Sequence, residues 1–171
     1  MAKIMILNGS ARKNGNTSAL INSFVEGARA AGNEVVEFYL QDMIIHGCLG
    51  CNGCTRGTKD NNLCVQNDDM KQIYSEFMMA DVVVFASPVY FWTITGTLKI
   101  VADRLYAALK YLGYGAFSRK SVLLMTAGGS DYSQASRWYE TYERNLGWIN
   151  LGEILGARKT AEAKALGASI Q

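Results

Sequence analysis

Apolar positions along the chain follow two rhythms. Short, nearly continuous apolar runs occupy 3–8, 34–40, 81–87, 120–126 and 151–155, and they are rich in Val, Ile, Leu, Phe and Tyr. Runs of that length and composition predict strands, and Ile4-Met5-Ile6-Leu7 and Val82-Val83-Val84-Phe85 read as strands covered on both faces. Between the runs, apolar residues recur at helical spacing: Leu20, Phe24, Val25 and Ala28 within 16–31, then Met70, Ile73, Tyr74, Phe77 and Met78 within 68–80. A cap at Thr95 or Gly96 opens a further helix through Leu109, and 133–148 and 160–166 supply two more. Strand alternating with helix predicts an α/β fold, a five-stranded parallel sheet with helices on both faces and right-handed crossovers. No repeat, linker or compositional break interrupts 1–171, which reads as one domain.

In such a sheet, ligands sit at the carboxyl ends of the strands, beside the point where the strand order reverses. Three loops fall at that edge. The first is Gly9-Ser10-Ala11-Arg12-Lys13-Asn14-Gly15-Asn16-Thr17-Ser18, between strand one and helix one. Its glycines permit a tight turn, its small side chains leave backbone N–H groups uncovered, and the next helix opens with its positive end toward it. Ser10, Asn16, Thr17 and Ser18 can donate neutral hydrogen bonds. Arg12 can donate charge-assisted ones, worth roughly 1.5–3 kcal/mol each. The loop has neither the Gly-x-Gly-x-x-Gly of dinucleotide sites nor the Gly-x-x-x-x-Gly-Lys-Ser/Thr of nucleoside triphosphate sites, so a terminal monophosphate suits it better. Read without a ligand, the same residues would cap the helix.

The loop after strand three holds the chain's only proline in Pro88-Val89-Tyr90-Phe91-Trp92, and the loop after strand four is Ala127-Gly128-Gly129-Ser130. A flat heteroaromatic ring could lie on the aromatic side chains while backbone amides of both loops reach its polar edge. Phosphate at one end and a planar ring at the other is the outline of FMN. The aromatics could equally serve a core or an interface.

Charge and composition narrow the partners. Seventeen Lys and Arg against fifteen Asp and Glu give +2, and the basic residues are scattered rather than massed, which argues against nucleic acid. No run of eighteen apolar residues predicts a membrane span, and the opening Met1-Ala2-Lys3 and apolar tetrad are too short for a signal peptide, so a cytoplasmic protein is expected.

With these residues in view, the sequence resembles a known family. The loop 9–17, Ser87-Pro88-Val89-Tyr90 and Leu98-Lys99-Ile100-Val101-Ala102-Asp103-Arg104 look like signatures of the NADPH-dependent FMN reductase group of flavodoxin-like proteins, in the right order along nearly the whole chain. Within that group, Cys48-Leu49-Gly50-Cys51-Asn52-Gly53-Cys54, followed by Cys64 and Asp68-Asp69-Met70, is similar to the iron-sulfur flavoproteins. The resemblance implies that Ser10, Arg12, Asn16, Thr17 and Ser18 hold an FMN phosphate. It also implies that Pro88, Val89, Tyr90, Phe91, Trp92, Ala127, Gly128 and Gly129 border the isoalloxazine.

The four cysteines crowd into the long loop 41–67, which has neither helical nor strand periodicity. Cys48, Cys51 and Cys54 can converge within one tight loop, and Cys64 completes the four thiolates of a [4Fe-4S] cube. The nine residues between Cys54 and Cys64 form a longer gap than the resemblance leads one to expect, yet loop closure penalises extra length only weakly. Tetrahedral zinc, a redox dithiol of Cys51 and Cys54, or no metal at all are the other readings. His46 reads as a solvated loop residue.

The resulting expectation is an FMN-dependent oxidoreductase with NAD(P)H as co-substrate and a small-molecule electron acceptor or a ferredoxin-like donor, the flavin doing the chemistry without a general acid or base from the protein. A flavodoxin-type electron carrier is the alternative. Such carriers tend to be acidic, which +2 does not match. A module without flavin, whose cysteine loop binds zinc or a partner, is a third. Trp92, Trp138, Tyr139, Tyr142 and Trp148 are more aromatic surface than one small core readily covers, and they point to a homodimer or higher homo-oligomer.

Overall fold

Strand and helix alternate as β1 (Lys3–Asn8), α1 (Asn16–Ala30), β2 (Glu34–Tyr39), α2 (Met70–Met79), β3 (Val82–Pro88), α3 (Gly96–Arg104), α4 (Tyr106–Leu112), β4 (Lys120–Thr126), α5 (Ser133–Leu146), β5 (Ile149–Leu155) and α6 (Thr160–Ala168). This computed structural model describes residues 1–56, 63–113 and 119–171, so 57–62 of the expected cysteine loop lie outside the described residues. The strands form one parallel sheet in the order β2-β1-β3-β4-β5. The order reverses between β1 and β3, whose carboxyl ends therefore flank the crevice where a ligand is expected.

Side-chain alternation splits the interior into two cores. Met5, Leu7, Val83, Phe85, Leu123 and Met125 face α2, α3, α4 and α5, while Ile4, Ile6, Val82, Val84, Val122 and Leu124 face α1 and α6. Central strands covered on both faces carry the unbroken apolar runs seen in the sequence. On the second face, α1 and α6 cross at a pair of glycines. A Cβ on Gly27 would overlap the Lys164 carbonyl, and one on Gly167 would overlap the Phe24 carbonyl.

Four expectations are corrected. The helix expected over 96–109 breaks at Leu105, because the Tyr74 hydroxyl donates to the Arg104 carbonyl at 3.0 Å and interrupts the ladder there. The helix expected from Asp68 starts at Met70, since Asp68 and Asp69 turn their carboxylates back toward 44–46. Helix α5 stops at Leu146 with Gly147 left-handed (φ 66°), which releases Trp148 into the core. Strand β5 begins at Ile149, two residues early, through an irregularity that leaves Leu151 without a partner on β4. The long loop also holds two 3-10 turns, Leu40–Asp42 and Gly53–Thr55.

Most of the aromatic surplus belongs to the core. Trp138, Tyr139, Tyr142 and Trp148 surround Phe85 with ring centroids 5.5–6.3 Å away, three of them edge-on, and Tyr139 and Trp148 are buried. Trp92 alone of the five stays exposed, so the aromatic count no longer argues for self-association.

Gly27→Ala or Gly167→Ala is expected to lower stability by about 1–3 kcal/mol through overpacking, outweighing the roughly 1 kcal/mol that Ala contributes to a helix. A urea midpoint that falls while the slope stays constant would show it.

Candidate functional site

A cavity of about 320 Å³ opens at the carboxyl ends of β1, β3 and β4. Ser10, Arg12, Gly15, Asn16 and Thr17 form one wall, Pro88, Val89 and Tyr90 another, and Thr126, Ala127 and Gly128 the third. The three loops are tied together beneath it. The Gly9 N–H donates to the Ala86 carbonyl at 2.8 Å, and the Thr95 hydroxyl donates to the Gly9 carbonyl at 2.9 Å. The Ser87 hydroxyl accepts from the Thr95 N–H at 3.0 Å, and the Val89 N–H donates to the Thr126 carbonyl at 2.7 Å. The Thr17 and Thr126 hydroxyls meet at 2.8 Å. A methyl group on Gly9 would sit 2.7 Å from Thr95 Oγ1, so only glycine allows the approach.

The first wall carries hydrogen-bond donors and a cation that suit an anion. Ser10 closes a local turn, its hydroxyl accepting from the Arg12 N–H at 3.2 Å and donating to the Arg12 carbonyl at 3.1 Å. Gly15 precedes α1 without a side-chain cap, leaving first-turn N–H groups beside Asn16 and Thr17 at the cavity. Arg12 is exposed and has no ion-pair partner among the described residues, whereas neighbouring Lys13 pairs with Asp42 and lies over the Tyr39 ring at 5.3 Å. Among the described residues, no carboxylate lines the cavity.

Four of the residues expected at the site are not among its walls. Ser18 is buried, donates its hydroxyl to the Arg12 carbonyl at 3.2 Å, and faces an adjoining polar hollow with Asn8, Asn22 and Glu37. Its contribution is to shape the loop. Gly129 lies past the rim. Phe91 and Trp92 form the tip of a two-residue turn, in which the Tyr90 and Thr93 backbones exchange hydrogen bonds at 2.9 and 3.2 Å. Both tip residues have positive φ, 46° and 67°, a combination usually filled by Asn-Gly. The turn lifts them into solvent, Phe91 at 88% and Trp92 at 59% exposure. Thr126 and Gly15 were not singled out as contacts from the sequence. Thr126 could have been, as the last strand residue before the Ala-Gly-Gly loop.

The cysteine loop leaves the same sheet edge after β2. Cys48 and Cys51 are exposed, while Cys54 and Cys64 are half-buried and pack with Met43, Ile45 and Leu63 on the first core. The Gly50 N–H donates to Cys48 Sγ at 3.5 Å, and Arg104 Nη2 donates to Cys64 Sγ at 3.5 Å. Burial pushes the Cys54 thiol up; its own backbone contact opposes that, and Cys64, Cys48 and Cys51 add to the rise, so all four sulfurs share one electrostatic neighbourhood. Among the described residues, no three His, Cys, Asp or Glu side chains converge closely enough to hold a single ion.

A buried ion pair closes the loop. The Arg104 guanidinium bonds the Asp68 carboxylate, with both side chains 1% exposed, and donates to the His46 carbonyl at 3.0 Å. Asp68 also accepts from the His46 and Met70 N–H groups at 3.1 and 3.2 Å. Burial pushes the Asp68 carboxyl up, but the bonds from Arg104 and His46 outweigh it and hold it below the ordinary 3.8.

Two outcomes follow from this geometry. Trp92→Gly relieves about 1–2 kcal/mol of left-handed strain against roughly 0.5–1 kcal/mol of added chain entropy, so the denaturant midpoint should rise slightly. Because the folded carboxyl of Asp68 titrates below its unfolded value, its contribution is complete above pH about 4 and vanishes as pH falls through the folded value. Asp68→Asn should cost about 3–5 kcal/mol at neutral pH and lose that part of the acid-side slope, read from urea unfolding at a series of pH values.

The chain matches the family of NADPH-dependent FMN reductases over residues 2–151. It is 30% identical over 138 residues to an iron-sulfur flavoprotein of Archaeoglobus fulgidus, covering 78% of this chain and 65% of that protein. An iron-sulfur flavoprotein of Methanosarcina thermophila is 32% identical over 102 residues, 60% of this chain and 51% of the relative. The chain thus spans about half to two-thirds of the length of these relatives. Among solved structures, an NAD(P)H:quinone oxidoreductase from Methanothermobacter marburgensis superposes with a TM-score of 0.74 at 20% identity, covering 98% of this chain and 96% of the other. The strand order and this superposition make the fold flavodoxin-like, and the match over residues 2–151 places the chain in the NADPH-dependent FMN reductase family.

Proposed function

We propose that the chain is an FMN-dependent oxidoreductase that takes reducing equivalents from NAD(P)H and delivers them to a small acceptor of the quinone class. The observation that carries this reading is one cavity with Arg12, without an ion-pair partner among the described residues, and the uncapped start of α1 at one end and Tyr90 with Gly128 at the other. Arg12, Asn16, Thr17 and the uncapped N–H groups in the first turn of α1 hold the phosphate. Pro88, Val89 and Tyr90 border the ring on one side, Ala127 and Gly128 on the other. FMN, when bound, supplies hydride and single-electron chemistry. The protein orients it, and walls that hold no carboxylate among the described residues spare the phosphate repulsion. A relative in Pseudomonas aeruginosa, 35% identical over 106 residues, is named an FMN-dependent NADH:quinone oxidoreductase, and this supports the choice of acceptor.

Cys48, Cys51, Cys54 and Cys64 hold a [4Fe-4S] cluster in this reading. Four thiols in one neighbourhood, with N–H donors on two of the sulfurs, suit the chemistry of a cube. A cube spreads its ligand sulfurs over four corners, so it does not need the single meeting point that a tetrahedral zinc requires.

Visible spectra with iron and sulfide assays on anaerobically prepared protein test both parts: flavin bands with about four irons per chain are expected. Protein that binds no FMN would overturn the oxidoreductase reading, and flavin without iron would overturn the cluster. Arg12→Ala is expected to weaken FMN binding about 10- to 150-fold, equivalent to roughly 1.5–3 kcal/mol, by fluorescence titration.

A further inference from the structure

We propose that Arg104 is the positioning residue of the cysteine loop, and that its guanidinium places a fixed positive charge on the Cys64 corner of the cluster held there. This rests on the cluster reading above. Three contacts define the role. Nη1 bonds Asp68 and the His46 carbonyl, joining the chain just before Cys48 to the chain just after Cys64, and Nη2 donates to Cys64 Sγ at 3.5 Å. The ends of a segment that contains all four cysteines are thereby brought to one buried point, which shortens the effective loop that iron must close. The third nitrogen, Nε, is buried and has no hydrogen-bond partner among the described residues, leaving a donor beyond those that the clasp uses.

A guanidinium presents donors in a rigid fork, and here the fork divides between a carboxylate and a sulfur. Lysine could match the charge but not the division. The charge-assisted hydrogen bond from Nη2 to the ligand sulfur stabilises the more negative, reduced state of a cluster, so a lysine whose ammonium stays on Asp68 and gives up that bond shifts the potential downward. An arginine serving only as a structural ion pair would affect folding and leave that potential unchanged. Helix α3 positions the residue by packing Leu98 and Val101 into the first core, and the Tyr74 hydroxyl holds its carbonyl.

The test uses the full chain with Arg104→Lys and Arg104→Gln, checked for fold by circular dichroism, and anaerobic reconstitution with ferrous iron and sulfide. With wild type loaded to about four irons, the lysine variant should retain iron and titrate by EPR at a lower potential, by at least tenfold in the reduced-to-oxidised ratio, about 59 mV for one electron. The glutamine variant should lose iron to a chelator at least tenfold faster. In metal-free protein, hydrogen exchange at the His46 and Met70 amides should accelerate at least tenfold in Arg104→Gln. Should that variant fail to fold, the potential of the lysine variant decides. Loaded wild type and variants with equal potential and equal iron retention overturn the role of Arg104 and leave the cluster standing. Wild type that takes up no iron overturns the cluster reading and the tuning role together, and unchanged amide exchange overturns the clasp.

Discussion

At the ends of β1 and β3 the backbone comes so close to its neighbours that no side chain fits. Gly9 bonds the last turn of β1 to Ala86 on β3, and the Thr95 hydroxyl fills the place a methyl group would need. That approach fixes where the first loop leaves the sheet, hence where α1 begins and where its free N–H groups point. It also fixes α3, because Thr95 caps that helix while holding Gly9. The cavity, the anion-facing wall and the helix that carries Arg104 thus depend on one close contact at the reversal of strand order.

The two faces of the sheet divide the work. On one face, the glycine crossing of α1 and α6 holds the first helix by close backbone contact, so the Arg12 end of the cavity rests on a tightly packed element. On the other, four helices and an aromatic cluster around Phe85 form a deeper core, and the cysteine loop lies against it. A binding wall on a rigid helix and a long loop beside a large apolar core meet at the same edge. Each thus rests on its own core, the first helix on one face of the sheet and the described part of the cysteine loop on the other.

Much of this was legible in the sequence, for physical reasons. Periods of 2 and 3.6 are imposed by burial, so the strands, the helices and their order could be read from Val82-Val83-Val84-Phe85 or from Met70, Ile73 and Phe77. Loops named by glycine and hydroxyl content fell at the correct edge because strand direction was implied by the alternation. What stayed hidden depends on contacts between distant residues. Tyr74 breaks a helix thirty positions away, and no local pattern records that. Ser18 has the residue type of a phosphate ligand but faces Arg12's carbonyl, because helical rotation turns it from the cavity that Thr17 faces. Phe91 and Trp92 occupy a turn normally written with Asn and Gly, so the sequence signal for the turn was absent. The aromatic surplus was real, but Phe85 gathers most of it inside.

The Arg104–Asp68 pair is the hardest feature to read from sequence and the most informative in space. Both side chains are 1% exposed, and removing two such charges from water costs several kcal/mol each, which their mutual attraction offsets only with well-placed hydrogen bonds. Here Asp68 takes two backbone N–H groups and Arg104 a backbone carbonyl, all within residues 46–70. An apolar pair of the same volume would pack the helices as well without that penalty. What it could not do is hold His46 and Cys64 together, because only a charged fork and a carboxylate reach polar backbone on one side of the loop and a sulfur on the other. The buried charge therefore makes physical sense as a device for the loop's shape, rather than as a source of stability for the fold.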